Sequence, residues 1–142
     1  MSHAVPDRVV DALLRDAGAR PPYRITPLRP GLNNLVTEIT TDETRFVLKR
    51  YFQSAKDPRN RLQSELAFYR YAAGRGINAV PRVLAKNEAA GCILLSYSDG
   101  KPVATGSLTP GLVGQALDFF LALNADRDGT DPLPDASETC HS

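Results

Sequence analysis

Apolar residues recur at helical spacing from the start of the chain. Val5, Val9, Val10, Leu13, Leu14 and Ala17 lie mostly three or four apart, with Asp7, Arg8, Asp11, Arg15 and Asp16 between them. The spacing predicts an amphipathic helix over about 6–17, stopped at Gly18. Pro21-Pro22 then favours extended backbone, and the period shortens. Tyr23–Leu28, Leu35–Thr41 and Arg45–Phe52 read as three strands of an antiparallel meander. They are joined by the turn-rich run Pro30-Gly31-Leu32-Asn33-Asn34 and by Asp42-Glu43. Helical spacing returns at Leu62, Leu66, Tyr69 and Ala73. Asp57 as cap and Pro58 at the first helical position place its start, and Gly74 and Gly76 its end. Two further strands follow, about Pro81–Lys86 and Cys92–Tyr97, turning at Asn87–Gly91. Ser98-Asp99-Gly100-Lys101-Pro102 reads as a linker. Thr109-Pro110 opens a last helix over about 110–124, with Val113, Leu117, Phe120 and Leu121 on one stripe.

This order predicts an α+β fold: one five-stranded antiparallel sheet, with a helix inserted between the third and fourth strands. The segments are an N-terminal helix over 1–20, a lobe over 21–97, a linker and connecting helix over 98–125, and a polar tail over 126–142. The 142 residues suit one domain, and 42% hydrophobic content is enough for a core. Seventeen Lys+Arg against sixteen Asp+Glu give a net charge of +1, so no basic field invites nucleic acid or an anionic membrane. No apolar run reaches the ~18 residues of a membrane span, and charges within the first 20 residues break any signal-peptide apolar region. Cys92 and Cys140 show no Cys-x-x-Cys spacing and read as free thiols. The expectation is a cytoplasmic protein.

Three features invite a chemical reading. Lys49 shares a strand face with Val47 and Tyr51, where a buried ammonium needs a carboxylate or an anionic ligand. Its bland reading is a lysine whose stem lies on the sheet while its head reaches water. Glu65 falls three after Leu62 and four before Tyr69, at the buried edge of its helix. Pairing Glu65 with Lys49 solves the desolvation problem of each. Gly31, with Asn33 and Asn34, can turn backbone N–H groups toward an anion, although any turn favours those residues. Three other matches are set aside. Asp118-Phe119 lacks the glycine of an Asp-Phe-Gly metal motif. Gly74–Ala79 fits Gly-x-Gly-x-x-Gly/Ala but closes a helix instead of opening one. Asp126–Asp131 lacks the glycine and glutamate of a calcium loop.

Glycine loop, strand lysine, helix glutamate and a strand leading into a linker together resemble the small lobe of a kinase fold. The wording is most similar to the aminoglycoside phosphotransferase/choline kinase-like family. Pro30–Asn34, Phe46–Tyr51, Arg61–Tyr69, Val80–Leu84 and Ile93–Gly100 carry the likeness, within roughly residues 22–125. The resemblance implies an ATP-dependent phosphotransferase acting on a small-molecule hydroxyl. It implies that Gly31, Asn33 and Asn34 cover the phosphates, that Lys49 contacts them, and that Glu65 holds Lys49. Ser96, Tyr97 and Ser98 would meet the adenine, with Tyr97 packed on the base. The loop has one glycine where protein kinases have three. The family's His-Gly-Asp-x-x-x-x-Asn loop is absent, since neither His3 nor His141 can begin it. Catalytic Asp and Mg²⁺ ligands are therefore expected in a second lobe. This chain is expected to be a truncated form, inactive alone, with self-association through the 110–124 helix. The alternative is a non-catalytic nucleotide-binding or interaction module, or the remnant of a truncated gene.

Overall fold

The computed structural model describes residues 4–28, 34–52, 60–127, 129 and 133–134. Its elements are α1 (Asp7–Asp16), β1 (Tyr23–Pro27), β2 (Asn34–Thr41), β3 (Arg45–Tyr51), α2 (Arg61–Gly74), β4 (Val83–Asn87), β5 (Cys92–Ser96) and α3 (Pro110–Asn124). The strands form one sheet of order β1-β2-β3-β5-β4, antiparallel at every pairing. The β4–β5 hairpin joins through β5, so β3 and β5 lie side by side inside the sheet.

Helices cover opposite faces, and alternation along the strands sorts the side chains between them. Val10, Leu13 and Leu14 of α1 pack with Ile39, Phe46, Leu48, Cys92 and Leu94 on one face. On the other, Leu62 and Leu66 of α2 pack with Tyr51, Ile93 and Leu95, and Val47 joins them. Covering on both sides explains why β5 is apolar at four successive positions, all buried. Among the described residues, no helix is long and apolar enough to cross a membrane.

Several boundaries differ from expectation. Helix α2 begins at Arg61, because the Asn60 side chain accepts the Gln63 N–H at 3.1 Å and so caps it; Asp57 and Pro58 lie outside the described residues. Asn34 belongs to β2, opposite Tyr51, and not to the preceding loop. Strand β4 starts at Val83, two residues later than expected. Just before it, the Arg82 N–H bonds the Ser96 hydroxyl at 2.9 Å, and the Ser96 N–H bonds the Arg82 carbonyl at 2.9 Å. Strand β5 ends at Ser96, so Tyr97 already belongs to the linker. The β4–β5 turn requires its glycine. Gly91 has φ +64°, and a Cβ there would stand 3.1 Å from the Tyr51 carbonyl oxygen.

Candidate functional site

Strand β3 and helix α2 build the site between them. Register places Lys49 opposite Val36 on β2 and Ile93 on β5, in mid-sheet on the α2 face. Packing of Leu62 and Leu66 holds α2 against that face and turns Glu65 toward the strand. The Lys49 ammonium bonds Glu65 Oε1, and the expected ion pair is formed. Tyr51 Oη donates to Glu65 Oε2, and Tyr69 Oη donates to Oε1 at 2.8 Å. Both carboxylate oxygens are thus occupied by protein donors.

The site is neither sealed nor open. Tyr51 is 6% exposed. The Lys49 and Glu65 side chains retain 18% and 24% exposure, so water reaches the pair from one side. Burial, reinforced by the neighbouring carboxylate, pushes the phenols of Tyr51 and Tyr69 well above the ordinary tyrosine range. Both therefore act as neutral donors. They fix the carboxylate without adding charge, and the remaining ammonium protons of Lys49 can serve an anion.

The other residues expected at the site fall in different places. Gly31 and Asn33 lie outside the described residues. Asn34, paired with Tyr51, starts β2 at the end of the sheet nearest Glu65. Ser96 lies opposite Phe46, toward the other end. Its N–H is used within the sheet by the Arg82 carbonyl. Tyr97 is half-buried and Ser98 exposed. The Arg45 guanidinium stacks over the Tyr97 ring, with its carbon 3.6 Å from the ring centroid, and so occupies one face of it.

Asp118 lies within α3, and Gly74–Ala79 closes α2 through the Ile77 N–H on the Ala72 carbonyl at 3.0 Å. No group of three or more His, Cys, Asp or Glu that could hold a metal ion occurs among the described residues. Sequence reasoning missed Tyr51 and Tyr69 as partners of Glu65. Their signal was present: Tyr51 is two after Lys49 on one strand face, and Tyr69 is one helical turn after Glu65.

An open five-stranded antiparallel sheet, with an inserted helix presenting a glutamate to a strand lysine, has the architecture of a kinase-like small lobe. The chain matches the model of the phosphotransferase enzyme family over residues 24–139, and it belongs to that family. The matched span runs from β1 through α3. A search of curated proteins finds no match to the chain.

Proposed function

We propose that this chain is the ATP-binding lobe of a phosphotransferase that moves the γ-phosphate to the hydroxyl of a small molecule. The Lys49–Glu65 pair carries this reading. A lysine held by a carboxylate that is itself bonded by two phenols is fixed in position and keeps donors for phosphate oxygens. Spacing along the sheet supports it. From the level of Lys49 to that of Phe46 and Ser96 is three residues, about 10 Å at ~3.4 Å each. A nucleotide laid along this face would place its phosphates at Lys49 and its base beside the linker. The base edge would meet the backbone of Tyr97 and Ser98, since the Ser96 N–H is committed within the sheet. By the family's pattern, Gly31, Asn33 and Asn34 would serve the phosphates.

Mg²⁺ supplies charge neutralisation on the transferring phosphates in this chemistry. By the family's pattern, its ligands and the catalytic base would belong to a second lobe. A cytoplasmic location fits this reading. The acceptor would bind in the second lobe, and these residues alone would transfer nothing. Titrating ATP with Mg²⁺ into the isotope-labelled chain tests the assignment. Amides around Val36, Val47–Lys49, Glu65 and Tyr97–Ser98 should shift together. Shifts confined to the α1 face would overturn it.

A further inference from the structure

The Lys49 face of the sheet carries a second charged cluster, toward its other end. Arg45 lies four residues before Lys49, and strand alternation puts both on one face. Its Nε donates to Glu38 Oε1 at 2.8 Å, and the Thr40 hydroxyl donates to the same oxygen at 3.2 Å. Its Nη1 stands 3.6 Å from Asp99 Oδ1, and its plane covers the Tyr97 ring. One side chain therefore joins β2, β3 and the first residues after β5.

Global stability does not account for the cluster. Arg45 is 43% exposed and Asp99 is 92% exposed, so water screens the outer contact, while Glu38, at 16%, is the sheltered end. The three contacts together set a direction. A guanidinium is a rigid plane, able to bond a carboxylate edgewise while stacking on an aromatic ring. Glu38 anchors the plane to β2, and the plane then holds Tyr97 and Asp99 on either side of Ser98. Glu38 is itself held below the usual carboxylate range, chiefly by its hydrogen bond from Arg45.

We propose that Arg45 is a positioning residue for the base of the nucleotide, acting through Tyr97 and Asp99 to fix the backbone between them. The proposal rests on the nucleotide reading above. It assigns the Tyr97 ring to anchoring the linker through the face that Arg45 covers. It also separates two functions along one strand: Lys49 serves the phosphates, and Arg45 serves the base.

The test uses the full chain with adenosine and tripolyphosphate as separate probes, alongside ¹⁵N order parameters for residues 97–101 without ligand. Arg45→Ala should weaken adenosine roughly tenfold and leave tripolyphosphate within about twofold, while order parameters fall only in the linker. Lys49→Ala should show the opposite ratio. Arg45→Lys should recover part of the adenosine affinity, because it keeps charge beside Glu38 but loses the planar stack. Equal loss of both probes, with loosening spread through β3 and β5, would assign Arg45 a purely structural role and overturn the proposal. So would an unchanged linker. A wild-type chain that binds neither probe would remove the nucleotide reading and the proposal with it.

Discussion

Glu65 is the residue on which the site turns. Three donors converge on its carboxylate, from a lysine and two tyrosines on β3 and α2. A hydrogen bond to a charged group contributes about 1.5–3 kcal/mol. Tyr51→Phe deletes one without opening a cavity, so chemical denaturation should show a loss within that range. The Lys49–Glu65 pair is part-exposed. Breaking it with Lys49→Ala should cost more than the ~1 kcal/mol ceiling of surface pairs and less than the ~3–5 kcal/mol of sealed ones. The tyrosines also set an alkaline limit. Both phenols hold their protons more tightly in the folded state, so the folding stability that this holding supplies is whole below the unfolded pKa near ~10. As pH rises past that value the unfolded chain releases protons that the folded chain keeps. Stability should then fall by about 1.4 kcal/mol per pH unit for each tyrosine. A denaturation midpoint followed from pH 9 to 11 checks this, and Tyr51→Phe should lessen the slope. The lysine and glutamate were legible as a pair because each was a charge on an apolar stripe. The tyrosines shared those stripes at the right spacing, but an aromatic there reads as core until its hydroxyl is placed.

Among the described elements, apolar spacing together with turn, cap and proline signals located the helices and strands, and local hydrogen bonds decided where they ended. The inward alternation of Phe46 and Leu48 against Val47, Lys49 and Tyr51 reads directly from the chain and holds in the packing. The start of α2 does not, because Asp57-Pro58 and Asn60 are all plausible near a helix start, and the side-chain bond to the Gln63 N–H identifies Asn60 as the cap. Strand order was equally hidden: pairing of β5 with β3 is a long-range choice that no local signal encodes. Helix α3 shows a further non-local device. Tyr71 Oη bonds the Leu123 carbonyl, and Arg75 bonds the carbonyls of Ala122 and Ala125. Tyr71 of α2 and Arg75, which caps its C-terminus, thus satisfy groups that a helix C-terminus leaves unpaired. Arg75→Ala should fray the last turn of α3, speeding amide exchange there while β3 and β5 stay protected.

For the whole molecule, α1 and α2 cover the two faces of the sheet at β3 and β5, while β1 and α3 stay largely exposed. Val113, Leu117, Phe120 and Leu121 are each at least half exposed, and α3 contributes no buried residue. Asp118 is the only charged residue in its fifteen, so little opposes the association of two such stripes. The chain is expected to self-associate as concentration rises, by light scattering, and Leu117→Glu with Phe120→Glu should return it to monomer without lowering stability. Lys49, fixed by Glu65, is proposed to receive the phosphates of ATP. Calorimetric titration of the chain and of Lys49→Ala with ATP and Mg²⁺ tests it most directly. Binding should be measurable and should fall at least tenfold in the variant, while its fold, by circular dichroism, is retained. Equal affinity in the two folded proteins would contradict it.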